Sequence, residues 1–282
     1  MEALQQFNSI PTAEVVDQLL RRVGERVSQN QSVEVYKQCL SMVDLTTLSC
    51  CDNEESVREF ARAAVRLGSE HPELPQVAGI CVYPPFVESV AMEIDGSPIR
   101  IVAVSGGFPA SQTFMEVKAL ESAMAVENGA DEVDIVLNVG KVLCGRFEEA
   151  ASEVELLREE IDEDVTLKVI IESGELKSYD LIYKASMLSM CAGADFIKTS
   201  TGKTAIGAAP EAAVVMALAI KEYYAATGKR VGLKVAGGVK SNTDAALYYT
   251  IVEEVLGEEW LVPELFRIGA SSLCAALCEA IG

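Results

Sequence analysis

Three lysines lie inside short runs of apolar, β-type residues, where a charged side chain is costly. They are Lys168 in TLKVIIE, Lys198 in DFIKTST and Lys234 in VGLKVAG. A buried ion pair, or a long stem that carries its charge to the surface, would explain any one of them. A second ammonium group and an apolar surrounding both lower the pKa of an amine, which then becomes a nucleophile able to form a Schiff base. Because the three lysines lie in successive runs, the pattern favours amine catalysis.

Two aspartates occupy similar runs and could move protons for such an amine. Asp44 lies in VDLTTL and Asp134 in EVDIVLN. Side chains alternate along a strand, so Asp134 faces away from Val133 and Ile135. A lone buried aspartate is often structural, but a carboxylate beside lysines can serve as a proton relay.

The last three runs end in loops of small and polar residues. These loops span residues 200–203, 237–240 and 269–272, and Ser271 and Ser272 open a predicted helix, SLCAALCEAI. Glycines let a backbone approach a ligand closely, and the free N–H groups at a helix N-terminus bind anions. Ordinary loop glycines and an N-cap serine would explain each loop alone. Together the loops predict a phosphate site, which in barrel enzymes commonly follows strands seven and eight.

These residues need a scaffold, and the chain supplies eight β-type runs that alternate with helical stretches. The runs cover residues 42–48, 79–83, 99–105, 132–138, 166–172, 195–201, 231–237 and 266–270. Such an alternation predicts an α/β fold, the (β/α)8 or TIM barrel, whose active site lies at the carboxyl ends of the strands. A doubly wound parallel sheet is the alternative, but no G-x-G-x-x-G turn follows the first run.

Residues 1–40 have helical periodicity and no β-type run. Pro11 and Thr12 precede VVDQLLRRV, and a polar patch at residues 28–31 breaks the pattern. We expect residues 1–40 to form a helical extension packed on the barrel and residues 41–282 to form the barrel itself. No long Gly-, Ser- or Pro-rich linker divides the chain, which favours a single domain.

The charge and the composition disfavour several classes of function. The chain has 43 Asp and Glu against 23 Lys and Arg, and its net charge of −20 disfavours binding to nucleic acid or to anionic membranes. The one histidine, His71, cannot build a multi-histidine metal site and leaves acid–base work to carboxylates and lysines.

The cysteines and the first residues indicate the cellular compartment. None of the eight cysteines forms a C-x-x-C pair, and most lie in apolar or helical context. This pattern predicts buried thiols in a reducing compartment. The start, MEALQQFNSI, lacks the positive charge and the apolar core of a signal peptide. No strongly apolar stretch reaches the roughly 18 residues that a membrane span needs. We expect a cytoplasmic protein with no membrane partner.

From the residues alone, the chain is predicted to be a barrel enzyme that uses an amine to act on a small phosphorylated carbonyl compound. This reasoning does not decide which of the three lysines is the nucleophile.

Six motifs carry a resemblance that extends the prediction: FIKTSTGK, VGLKVAGGVK, VDLTTL, CVYP, GADEVDIV and FRIGASSL. In these motifs, from about residue 41 to the end, the chain closely resembles the deoxyribose-phosphate aldolases. The resemblance implies a class I aldolase that cleaves 2-deoxy-D-ribose 5-phosphate to acetaldehyde and D-glyceraldehyde 3-phosphate in deoxyribose phosphate catabolism. It implies that no metal and no cofactor takes part.

The same resemblance assigns roles to residues. It implies that Lys198 forms the Schiff base, that Lys234 and Asp134 transfer protons, that Asp44 supports them, and that Lys168 is not the nucleophile. The positions that match the family's phosphate-binding loops are Gly202, Lys203, Gly237, Gly238, Gly269, Ser271 and Ser272.

Two further expectations concern charge. Asp134 is expected to lie nearer to Lys234 than to Lys198, because a carboxylate stabilises the ammonium form of the lysine beside it. Lys240 stands where the family often has Arg, which removes a bidentate contact to a phosphate and predicts weaker affinity.

Two alternatives of different kinds stay open. One is another Schiff-base barrel lyase, or a transaldolase-type enzyme, with a different sugar phosphate. The other is a catalytically inactive phosphosugar-binding or scaffold protein. A homodimer is a further expectation for the assembly.

Overall fold

The computed structural model describes residue 7 and residues 9–282. Eight parallel strands pair in sequence order, and the last pairs with the first, which closes a barrel. The strands are β1 (Val43–Thr46), β2 (Gly79–Val82), β3 (Arg100–Ser105), β4 (Glu132–Val136), β5 (Thr166–Ile170), β6 (Phe196–Lys198), β7 (Gly232–Ala236) and β8 (Phe266–Ala270). Each lies within one of the predicted runs, so the (β/α)8 barrel is confirmed and the doubly wound alternative is wrong.

Helices precede the barrel and connect its strands. They are α1 (Ala13–Arg26), α2 (Val33–Ser41), α3 (Glu54–Glu70), α4 (Val87–Ile94), α5 (Met115–Glu127), α6 (Val139–Leu143), α7 (Phe147–Glu159), α8 (Ser173–Leu176), α9 (Tyr179–Cys191), α10 (Pro210–Thr227), α11 (Asn242–Val255) and α12 (Leu273–Ile281). Local residues explain several ends. Asn53 and Ser56 form a capping box before α3, and α10 begins with Pro210 and ends at a left-handed Gly228. Within residues 9–282, no helix is both long and apolar enough to cross a membrane.

The two N-terminal helices pack on the outside of the barrel. α1 contacts α10 and α11, and α2 contacts α11 and α12. Arg26 of α1 binds Glu253 and Glu254 of α11 at 2.8 and 2.6 Å. Of the predicted extension, residues 1–6 and residue 8 lie outside the described residues.

Alternation along the strands separates apolar from charged side chains. On β4, Val133 and Ile135 belong to the hydrophobic core, whereas Asp134 contacts side chains of β5, β6 and β7 across the barrel. The register places Asp134 beside Lys168 and Lys198 beside Lys234. The predicted orientation of Asp134 is therefore confirmed, and the barrel interior becomes the place where charged groups meet.

Candidate active site

Seven charged side chains, supplied by six of the eight strands, meet inside the barrel. They are Asp44 from β1, Glu132 and Asp134 from β4, Lys168 from β5, Lys198 from β6, Lys234 from β7 and Arg267 from β8. All seven are buried. The structure thus brings together the three strand lysines and the two aspartates that the sequence indicated, and adds Glu132 and Arg267.

Asp134 binds all three lysines. Its Oδ1 accepts a hydrogen bond from Lys168 Nζ at 2.9 Å. Its Oδ2 accepts hydrogen bonds from Lys198 Nζ at 2.8 Å and from Lys234 Nζ at 2.7 Å. The expectation that Asp134 lies nearer to Lys234 than to Lys198 is therefore not met, because one oxygen holds both ammonium groups at the same distance within 0.1 Å.

The difference between those two lysines comes from Asp44 instead. Asp44 Oδ2 lies 2.5 Å from Lys234 Nζ, and Asp44 Oδ1 accepts from Arg267 at 2.5 Å. Lys198 has Asp134 as its carboxylate partner, whereas Lys234 has both aspartates. Two carboxylates hold a proton on an amine more firmly than one.

The pKa values of the lysines follow this arrangement. Burial lowers the pKa of Lys198 below its usual value, with help from the charge of Lys234, and Asp134 compensates only in part. Burial acts on Lys234 in the same direction, but Asp134 and Asp44 outweigh it and raise its pKa. For Lys168, Asp134 and Glu132 likewise outweigh burial and raise the pKa. Lys198 is thus the strand lysine that most readily becomes neutral.

Lys198 also borders open space. A cavity of about 420 Å³ lies at the carboxyl ends of the strands, and Lys198 lines it together with residues of the loops after β1, β6, β7 and β8. A small ligand in this cavity can reach the amine of Lys198.

The predicted phosphate loops line the same cavity. Gly202, Lys203, Gly237, Gly238, Gly269 and Ser271 all border it. Ser272 does not line it and occupies the N-cap position of α12, where its side chain makes no capping hydrogen bond. The helix begins at Leu273 rather than at the two serines, so both serines belong to the loop, exposed beside a helix N-terminus.

Two cationic side chains border the cavity as well. Lys203 Nζ donates a hydrogen bond to the backbone oxygen of Leu48, which links the loop after β6 to the loop after β1. Lys240 lies on the turn that follows β7 and is exposed. Both residues line the cavity together with the glycine loops, so their positive charges favour an anion there.

A set of polar contacts that sequence reasoning missed holds these loops. Glu172, just after β5, accepts hydrogen bonds from the backbone N–H and the hydroxyl of Thr201, the latter at 2.5 Å. Thr199 and Ser200 donate to the backbone oxygen of Ala236 at the end of β7. These contacts fix the loop after β6 to its two neighbouring strands.

Known proteins share both the sequence and the fold. A family model described as DeoC/LacD family aldolase matches residues 39–275. Human deoxyribose-phosphate aldolase is 40% identical over 244 residues, which cover 83% of this chain and 76% of the human protein. The mouse enzyme of the same name is 41% identical over 245 residues, covering 83% and 76%.

A solved structure adds to this evidence. The tetrameric deoxyribose phosphate aldolase of Aeropyrum pernix superposes with a TM-score of 0.69 at 26% identity and covers 96% of this chain and 98% of its own. With the family model matching most of the chain and relatives at about 40% identity over most of it, the chain belongs to the DeoC/LacD family of aldolases.

Proposed function

We propose that this protein is a class I aldolase that cleaves 2-deoxy-D-ribose 5-phosphate reversibly to acetaldehyde and D-glyceraldehyde 3-phosphate. The observation that carries the proposal is the position of Lys198, an amine with a lowered pKa at the floor of a cavity bordered by glycine loops and two further lysines. The names of the human and mouse relatives support this substrate.

The reaction begins at the aldehyde carbon, C1, of the open-chain sugar phosphate. Neutral Lys198 adds to C1, and loss of water from the carbinolamine gives an iminium ion. A base then takes the proton of the C3 hydroxyl, and the C2–C3 bond breaks. Its electron pair forms the C1–C2 double bond of an enamine, the iminium nitrogen becomes neutral, and glyceraldehyde 3-phosphate leaves. Protonation of C2 and addition of water release acetaldehyde and restore the amine.

Asp134 and Lys234 are proposed to move the protons of these steps. Asp134 Oδ2 contacts the nitrogen of Lys198, so it can receive a proton as the carbinolamine forms and return it as water leaves. Lys234 donates a hydrogen bond to that same oxygen, so it can pass a proton to Asp134. Proton transfer of this kind contributes roughly 10²–10⁴-fold to a rate.

The phosphate of the substrate is proposed to lie in the loops after β6, β7 and β8. There Lys203, the Gly237–Gly238 turn and the backbone N–H groups near Ser271 surround one end of the cavity. An anion at this position would place the carbonyl end of a five-carbon chain toward Lys198. The net charge of −20 makes such a local site necessary, because the rest of the surface repels a phosphate.

Reductive trapping tests the proposal. The protein is incubated with acetaldehyde and sodium borohydride, the modified lysine is mapped by mass spectrometry, and cleavage of 2-deoxyribose 5-phosphate is assayed in parallel. We expect an adduct at Lys198 and release of glyceraldehyde 3-phosphate. An adduct at Lys168 or Lys203 contradicts the residue assignment. An adduct at Lys198 without cleavage points to a Schiff-base lyase for another sugar phosphate, and no adduct points to a binding protein.

We further propose a catabolic role in the cytoplasm. All eight cysteines are free, and Cys50 and Cys51 are adjacent and exposed with their sulfurs 3.9 Å apart, which suits a reducing compartment. Fractionation of cells, with immunodetection of the protein, tests the location.

A homodimer is the proposed assembly. The outer face of α5 and the residue before it expose apolar side chains: Phe114, Val117, Leu120 and Met124, with Leu120 at 60% exposure. A strongly acidic molecule repels its own copies, so association needs such an uncharged surface. The tetrameric relative from Aeropyrum pernix supports self-association. Light scattering should give the mass of a dimer for the wild-type protein. Leu120→Lys should dissociate this dimer, whereas Val33→Lys, at another exposed apolar position, should leave it intact. A monomeric wild-type protein contradicts the proposal.

A further inference from the structure

The charged side chains inside the barrel form a closed ring of alternating sign. Arg267 binds Glu132, Glu132 contacts Lys168, Lys168 binds Asp134, Asp134 binds Lys234, and Lys234 contacts Asp44, which returns to Arg267. We call these six residues the charge ring. Its nitrogen–oxygen distances are 2.7 Å for Arg267–Glu132, 2.9 Å for Lys168–Asp134, 2.7 Å for Lys234–Asp134, 2.5 Å for Lys234–Asp44 and 2.5 Å for Arg267–Asp44, and Lys168 and Glu132 are also in contact.

The charge ring is neutral by itself. It contains three cations and three anions, and each member contacts two members of opposite sign. Lys198 contacts Asp134 from outside the ring and is the fourth cation against three carboxylates. An unbalanced charge in a buried site costs free energy, so the group that carries this charge is the first to become neutral. The proton that the site gives up at least cost is therefore the one on Lys198.

We propose that Arg267 and Glu132 are positioning residues that close the charge ring, and that the neutrality of the ring selects Lys198 as the amine that reacts. Arg267 cannot lose its charge, and its guanidinium contacts both Asp44 and Glu132, which joins the two carboxylates into the ring. Asp44 and Glu132 in turn keep Lys234 and Lys168 charged. This inference rests on the proposed function in that it takes Lys198 as the nucleophile.

Other titratable groups near Lys198 leave this balance unchanged. Besides Asp134, Lys168 and Lys234, the buried thiol of Cys81 on β2 acts on Lys198, and burial raises the pKa of that thiol, so it stays neutral. Lys203 and Lys240 face the cavity from the loops after β6 and β7, where water screens them. Ser105 at the end of β3 carries no charge.

The experiment measures the pKa of Lys198 without using its activity. Lys198 is labelled with trace acetic anhydride across a series of pH values, and the extent of acetylation is read from its peptide by mass spectrometry. The variants are Arg267→Met, Glu132→Gln, the double variant and Arg267→Lys, each checked for its fold by circular dichroism.

The expected shifts have opposite signs. Arg267→Met removes a cation, so Lys198 keeps its proton longer and the labelling midpoint moves to higher pH. Glu132→Gln removes an anion and moves the midpoint to lower pH. One unit charge acting over roughly 10 Å at an effective dielectric constant of about 20 changes a pKa by about one unit, and we expect shifts of that order. The double variant restores the net charge of the site and with it the wild-type labelling midpoint. Arg267→Lys keeps the positive charge and should leave the midpoint unchanged.

The result that overturns the inference is a midpoint that stays fixed or moves in the same direction in both single variants. If Arg267→Met does not fold, Glu132→Gln and the double variant still decide between the outcomes. Trapping of acetaldehyde on the wild-type protein, run alongside, reports separately on the proposed function: a missing adduct with opposite midpoint shifts refutes the activity and leaves the charge ring supported.

Discussion

At the scale of single residues, the site separates two lysines that share one carboxylate oxygen. Lys198 and Lys234 both bind Asp134 Oδ2. Burial nevertheless lowers the pKa of Lys198, whereas two carboxylates outweigh burial and raise the pKa of Lys234. In the proposed mechanism, this division gives two identical side chains different roles, one as the nucleophile and one as a proton donor.

Lys234→Leu should reduce kcat by roughly 10²-fold or more and move the acid limb of the pH profile to higher pH. The reactive form of Lys198 is neutral, and loss of the neighbouring positive charge raises its pKa, so a higher pH is needed to deprotonate it. Raising the pH should then recover part of the activity. The measurement is kcat/KM for 2-deoxyribose 5-phosphate against pH, with the exposed Lys221→Leu as control. An unchanged profile at a uniformly lower rate would mean that Lys234 acts only in proton transfer or positioning.

Ser271→Asp should raise KM for 2-deoxyribose 5-phosphate far more than for unphosphorylated 2-deoxyribose. Ser271 borders the cavity beside the N-terminus of α12, so a carboxylate there repels the substrate's phosphate. Ser271→Ala is the control, because it removes the hydroxyl without adding charge, and its effect should be small. Equal losses for both sugars would show that this loop does not bind the phosphate.

At the scale of secondary structure, the strand ends decide where the chemistry lies. Several predicted runs extend beyond the carboxyl ends of the observed strands. The run at residues 195–201, for example, forms a strand only as far as Lys198. Beyond it, Thr199 and Ser200 bond the backbone of β7 and Thr201 bonds Glu172. The polar residues that lengthened the runs are thus the ones that fix the loops around the cavity.

The turn after β7 depends on close backbone contact with the loop after β6, and Gly237→Ala tests it. Gly237 has a φ of +88°, and a Cβ there would lie 2.6 Å from Ser200 Oγ and 2.9 Å from Gly207 Cα. We expect a substantial rise in KM for the phosphorylated substrate, because the two loops must separate. Gly238→Ala is a matched control, since its φ of +87° carries the same backbone strain but its Cβ would meet nothing within 4 Å. Similar KM values for the two variants would argue against a role for the contact.

Sequence alone predicted the strands because short apolar, β-type runs alternate with helical stretches along the chain. Within a run, inward and outward positions alternate, and this could have indicated two residues that were missed: Glu132 lies two positions before Asp134, and Arg267 two positions before Gly269. Their partners could not be inferred, because a contact such as Arg267–Asp44 depends on how the barrel closes. Glu172 gave no signal either, since its left-handed backbone, with a φ of +51°, turns it toward Thr201. The choice of Lys198 among three lysines came from the family resemblance, and the unequal sharing of carboxylates supplies its physical reason.

At the scale of the whole molecule, the buried charges tie stability to pH. Burial would raise the pKa values of Asp44 and Asp134, but the cations around them outweigh it and lower both below the usual value of 3.8. A carboxyl group with a depressed pKa stabilises the folded state above its unfolded pKa, and this contribution is lost as the pH falls below that value.

The melting temperature should therefore change little between pH 7 and pH 5 on account of these groups and fall below about pH 4. Asp44→Asn should be less stable at pH 7 and lose less stability on acidification, because one of the responsible groups is gone. Asp95→Asn, at an exposed position, should follow the wild-type curve. Thermal unfolding followed by circular dichroism gives the comparison, and parallel curves for Asp44→Asn and the wild type would contradict the expectation.

The contact between Asp44 and Arg267 joins residues 223 positions apart, at the two ends of the barrel's strand order. Contacts of such sequence separation form late, since a long segment must order before they are gained. A chain in which β1 has not yet paired with β8 therefore lacks the closed charge ring that we propose makes Lys198 reactive. During refolding from denaturant, the time at which an acetaldehyde-reactive amine appears should therefore mark the closure of the barrel. The reactivity of the site can then serve as a probe of folding.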